Sequence, residues 1–115
     1  MTQAGKIVLF RFPQTDLSQG KLRPALVLGK LPGKFDDWLV CMISTQTHQQ
    51  SAGFDEFIQV DDTDFKSSGL KEASVIRVGR LAVVDVSVFV GSIGNISADR
   101  LVRIKSRLAN WLLQS

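Results

Sequence analysis

A mainly β fold, a small antiparallel barrel with one C-terminal helix, is what the sequence predicts, and three observations predict it. The apolar segments are short and rich in β-branched residues. Clusters of Gly, Pro, Ser and Asp separate them, and helical periodicity is plain only after Ser97. In 115 residues, short strands that must bury apolar side chains curl readily into a barrel. That length also suits a single domain over residues 1–115, large enough to bury a core without metal or disulfide staples.

Six strands are expected. The first runs from about Lys6 to Phe12, with Ile7 and Leu9 facing one way and Val8, Phe10 and Phe12 the other. The second runs from about Pro24 to Lys30, and proline is tolerated where a strand begins. Turn-rich Leu31 to Asp37 leads into a third strand, Trp38 to Ser44, and the polar run Thr45 to Gly53 is expected as an exposed loop. Phe54 to Val60 reads as a fourth strand, and DDTDFKSSG, Asp61 to Gly69, as a loop or single helical turn. Ala73 to Val78 and Leu81 to Val90 complete the six, with Gly79 and Asp85 as bulge or bend positions. GSIG, Gly91 to Gly94, is expected as the turn before the helix.

The helix has Ser97 as its N-cap, Asp99 at the positive end of its dipole, and Leu101, Ile104, Leu108, Trp111 and Leu112 at helical spacing. Arg100, Arg103 and Arg107 share another face, expected to be solvated.

Composition narrows the function only loosely. The chain carries 14 Lys and Arg against 11 Asp and Glu, a net charge of +3 that permits an anionic partner without requiring one. No apolar run approaches the roughly 18 residues of a membrane span, and Met1 to Lys6 lacks the pattern of a signal peptide. The lone Cys41 sits inside the apolar run WLVCMI, where a buried thiol suits a reducing compartment. A cytoplasmic protein is expected.

Most catalytic motifs are missing. With one histidine and one cysteine, a zinc site would need carboxylates in an unusual ligand set, and a calcium loop starting at Asp62 would place Lys66 at a ligand position. GSIG lacks the spacing of a nucleotide fingerprint, and a single His48 supports no catalytic triad. No metal and no cofactor is expected. Polar groups at strand ends remain: Arg11, Lys21 and Arg23 flank the first loop, and Ser44, Thr45, Gln46 and His48 follow the third strand. If strands two and three pair antiparallel, Arg23 and Ser44 meet. A guanidinium there can clamp a phosphate through two parallel hydrogen bonds and stabilise charge developing on it.

The run GKIVLFRFPQTDLSQGKLRPALVL, with ISTQ at Ile43 to Gln46 and GLKEASVIRVGRL at Gly69 to Leu81, resembles the MazF/PemK family of type II toxin–antitoxin toxins. The likeness continues through IGNIS and the terminal helix, so it covers nearly the whole chain. It implies an SH3-like barrel, a homodimer, a cognate antitoxin, and metal-independent cleavage of single-stranded RNA. DNA would be met only through the antitoxin. Carried over by position, the resemblance makes Arg23 the catalytic arginine and puts Ser44 where the family usually has a catalytic threonine. Serine keeps the hydroxyl but loses the methyl that stiffens its rotamer. Thr45 supplies the hydroxyl instead if the register shifts by one. RNA contacts are expected from Arg11, Thr15, Asp16, Lys21, Thr45 and Gln46.

His48 is expected to be an exposed loop residue, Phe10, Phe12, Phe54 and Phe57 to be core rather than base-stacking platforms, and Asp61, Asp62 and Asp64 to cap a turn. Two other functions compete with the ribonuclease. One is a relative that keeps the barrel but binds nucleic acid or protein without cutting, and the other is a toxin acting on a protein such as gyrase. The KLRP motif favours RNA cleavage over the latter.

Overall fold

The computed structural model of the chain describes residues 2–11, 21–49 and 51–115. Its elements are β1 (Lys6–Arg11), β2 (Leu22–Lys30), β3 (Asp37–Ser44), a 3-10 turn (Thr47–Gln49), β4 (Glu56–Ile58), α1 (Phe65–Ser68), β5 (Ser74–Asp85), a second 3-10 turn (Val86–Val88), β6 (Gly91–Asn95) and α2 (Ala98–Gln114). The strands form one antiparallel sheet in the order β4-β5-β3-β2-β1-β6. The sheet is curled into a half-barrel whose outer strands, β4 and β6, are not hydrogen-bonded to one another.

Alternation along the strands sorts the core into two layers. Ile7, Leu26, Leu28, Cys41, Ile43, Ile76 and Val78 face α2 and pack with its Ile104 and Leu108. Val8, Phe10, Ala25, Val27 and Val40 face the other way, against Trp38, Ala82, Val84 and Phe89. A strand buried on both faces must be apolar at consecutive positions. That requirement explains the unbroken run Ala25 to Leu28.

Six strands were expected and six are present among the described residues, with three differences in where they lie. Ala73 to Val78 and Leu81 to Val90 are not two strands. They form the single long β5, which stays paired with β3 across a bulge: Cys41 opposes Leu81 while the next residue, Met42, opposes Arg77. Gly79 lies inside that bulge, as its position suggested. Asp85 ends β5, and its carboxylate accepts a hydrogen bond from the Ser87 N–H, which caps the 3-10 turn; hydrogen bonds from the Ser87 side chain and then its backbone lower the Asp85 pKa.

The second difference is Gly91 to Gly94, which is not a turn but most of β6, paired with β1. Gly94 is there for proximity rather than for turning. A Cβ on Gly94 would overlap the Ser67 and Ser68 backbone, and one on Gly69, which closes α1 with a φ of 75°, would overlap the Ile93 carbonyl. α1 therefore lies directly on the β6 backbone. The third difference is β4, which is only Glu56–Ile58, three residues. Phe12, expected as the end of the first strand, lies outside the described residues.

Ser97 caps α2 as expected, its hydroxyl accepting from the Arg100 N–H at 3.2 Å. Trp111 is 51% exposed, touching Phe54 with ring centroids 6.1 Å apart. Cys41 is fully buried, and burial pushes its thiol pKa far up, which leaves it unreactive. Among the described residues no helix is long and apolar enough to cross a membrane.

Candidate functional site

The sheet register answers where the strand-end residues go. Ala25 opposes Met42 at the end of the β2–β3 ladder, and two residues beyond that end on each strand stand Arg23 and Ser44, which line the same cleft. On its other side β2 pairs with β1, Arg23 opposing Phe10 and Pro24 opposing Leu9. β2 thus starts at Leu22, two residues before Pro24, and those two residues are paired on the β1 side. Arg23 is held in a central strand rather than in the loop before it.

Around this pair lies a cleft of about 680 Å³. Leu9, Pro24, Ile43, Leu70 and Ile93 form its apolar floor, and Lys21, Arg23, Ser44, Thr45, Gln46, Lys71, Glu72 and Ser74 supply its polar groups. The described lining carries three cations, Lys21, Arg23 and Lys71, against the single carboxylate of Glu72. Such a balance attracts an anion and leaves room for several atoms beyond one phosphate.

Ser44 is 7% exposed, and its Oγ accepts a hydrogen bond from the Gln46 N–H at 3.0 Å. That contact fixes the oxygen where β3 turns away and uses one lone pair, leaving the O–H to donate. Arg23 forms no ion pair among the described residues, so its charge is available to a ligand.

The expected site is thus partly assembled. Lys21, Arg23, Ser44, Thr45 and Gln46 share the cleft. Arg11 pairs with Leu22 in the ladder but is not among the cleft's lining residues. Thr15 and Asp16 lie outside the described residues. His48 is exposed on the first 3-10 turn and does not line the cleft. Sequence reasoning missed Lys71, Glu72 and Ser74. They stood inside the quoted GLKEASVIRV segment, yet nothing in their types marked them, because their role follows from β5 lying beside β3.

The far wall of the cleft is held by an ion network that overturns the solvated-stripe expectation for Arg100, while Arg103, though paired, stays exposed and Arg107 partly so. Arg100 is only 6% exposed and all five of its N–H donors are used. Nε and Nη2 grip Asp64 at 2.8 and 3.0 Å, Nη2 also reaches Asp62 at 3.0 Å, and Nη1 meets Glu56 at 3.1 Å and the Phe57 carbonyl at 3.2 Å. Arg103 and Arg107 donate to the same Glu56. Asp64 also accepts from the Ser97 N–H at 3.0 Å, so one carboxylate ties α1 to the start of α2. Asp62 does cap a turn, accepting from the Gln59 N–H, in addition to meeting Arg100.

Burial works against charge on both central partners, and pairing wins. Burial would raise the Asp64 pKa, but hydrogen bonds from Arg100 and Ser97 and the guanidinium charge bring it below the ordinary value. Burial would likewise lower that of Arg100, and its carboxylates raise it instead. The network fixes α1, and the residues after α1 are the cleft wall: the Leu70 N–H donates to Ser68 Oγ at 3.1 Å, and buried Ser74 donates its hydroxyl to the Glu72 carbonyl at 2.9 Å.

Compared with known proteins, the chain shows no match among curated ones. A family model described as PemK-like, MazF-like toxin of type II toxin–antitoxin system matches residues 3–112, nearly the whole chain.

Proposed function

The chain belongs to the PemK-like, MazF-like family of type II toxin–antitoxin toxins, and from that premise we propose that it is a sequence-specific endoribonuclease cutting single-stranded mRNA without a metal. Arg23 and Ser44 lining one cationic cleft is the observation that carries this reading. A ribose 2′-OH attacks the adjacent phosphate, leaving a 2′,3′-cyclic phosphate and a 5′-OH. Negative charge accumulates on the phosphorus oxygens during attack, and the Arg23 guanidinium meets it with two-point hydrogen bonding. Ser44 donates its O–H to a second oxygen. Lys21, Lys71, Thr45 and Gln46 hold the neighbouring nucleotides.

The test is incubation of the purified protein with mRNA in EDTA. Discrete cuts ending in cyclic phosphate support the reading, and intact RNA favours the second one, a relative that binds nucleic acid or protein through the same cleft without cutting. Ser44 makes that second reading specific, since serine is less firmly held than the family's threonine. Ser44→Thr is expected to preserve or raise the cleavage rate, and Ser44→Ala to lower it. Gel assays of a defined RNA at matched protein concentration measure both.

The protein works in the cytoplasm, restrained by an antitoxin whose acidic or apolar tail folds on the cationic cleft. It is a homodimer. Val83, Val88, Val90, Leu112 and Leu113 are exposed, apolar side chains that a second copy would cover. Sedimentation at micromolar concentration is expected to give twice the 12.7 kDa of one chain, and a monomer there would refute it.

A further inference from the structure

Attack by a 2′-OH requires a group that takes its proton, and neither residue placed so far can. A guanidinium has no lone pair to offer, and a serine hydroxyl is a poor base. Among the described residues, the other carboxylates near the cleft wall are committed elsewhere. Glu56, Asp62 and Asp64 accept from Arg100, and Asp55 accepts from the Ser51 and Val78 N–H groups. His48 is outside the cleft.

Glu72 is different on three counts. It is the one carboxylate of the described lining, and it is exposed. Its backbone is anchored by the buried Ser74 hydroxyl, while its carboxylate takes no ion-pair partner among the described residues. It also shares the cleft with the Arg23 and Ser44 pair.

We propose that Glu72 is the general base of the reaction, an assignment that rests on the ribonuclease reading. Its carboxylate takes the 2′-OH proton as the 2′-oxygen bonds to phosphorus. The bond from phosphorus to the 5′-oxygen breaks, that oxygen takes a proton from water, and Glu72 later returns its own to solvent. The other charged side chains of the described cleft lining are Lys21, Arg23 and Lys71, the last beside Glu72 in the chain.

The experiment is the pH dependence of kcat and KM on a short RNA containing the cleavage site. Wild type is expected to lose activity on the acid side as the carboxylate protonates. Glu72→Gln should lower kcat by about a hundredfold or more, the scale of a general base. It should also erase the acid limb and leave unchanged the affinity for an RNA carrying a 2′-deoxy sugar at the cut. Glu72→Asp should keep the limb at a reduced rate. Wild-type kcat in Glu72→Gln, or an acid limb that survives it, overturns the assignment, as does a limb lost in Asp16→Asn instead. Failure of wild type to cut any RNA overturns the ribonuclease reading itself, a result distinct from these.

Discussion

Arg100→Ala is expected to destabilise the fold by about 3–5 kcal/mol, the range for breaking a buried ion pair from one side. The cost comes from what is left behind. Asp64, 5% exposed, and Glu56, 6% exposed, would lose the guanidinium that compensates their burial. Arg100→Lys should recover little, because one ammonium cannot replace five donors arranged in a plane. Urea unfolding reads both, and a loss below about 1 kcal/mol would show the network to be dispensable.

The same network sets the response to acid. Asp64 has a pKa lowered from its ordinary 3.8 on folding. A lowered carboxylate contributes stability that is present above the unfolded value and lost as pH falls through the folded one. The urea midpoint should therefore hold through mildly acid pH and decline below 3.8, with the decline reduced in Asp64→Asn.

Arg23→Ala has the largest expected effect on activity, a fall of roughly a hundredfold to a thousandfold, the scale of removing one donor to transition-state charge. Here the fold should be untouched, since Arg23 forms no ion pair among the described residues. Arg23→Lys should restore little, as a point charge lacks the planar two-point contact. The two arginines thus separate cleanly: cleavage assays read Arg23 and denaturation reads Arg100. Cleavage that survives Arg23→Ala but disappears in His48→Ala would move the chemistry to a histidine.

What the sequence revealed depended on range. Elements set by local pattern, such as the Ser97 cap and the apolar alternation of β1, are where periodicity put them. Arg23 and Ser44 were legible because one assumption, that consecutive strands pair, was enough to bring them together. Arg100 was not legible. On a helix surface its spacing with Arg103 and Arg107 looks like a solvated stripe, and only β4 and α1, some 40 residues earlier in the chain, bury Arg100. Gly94 was misread for a similar reason: a glycine needed for close approach is spelled the same as one needed for a turn. Lys71 and Glu72 sat in a recognised segment, but their role depends on β5 lying next to β3, a neighbour two strands removed in sequence.

The strand order also has a consequence for how the protein is made. β1 pairs with β6, so Lys6 meets Asn95, and Ile93 of β6 forms part of the cleft floor. β2 and β3 can pair soon after they leave the ribosome, but contacts between such distant stretches wait on loop closure and form late. Glu56 and Asp64 wait longer still, until Arg100 has emerged. A nascent chain therefore pairs β2 with β3 well before it has a finished cleft, which waits until β6 and α2 have been made.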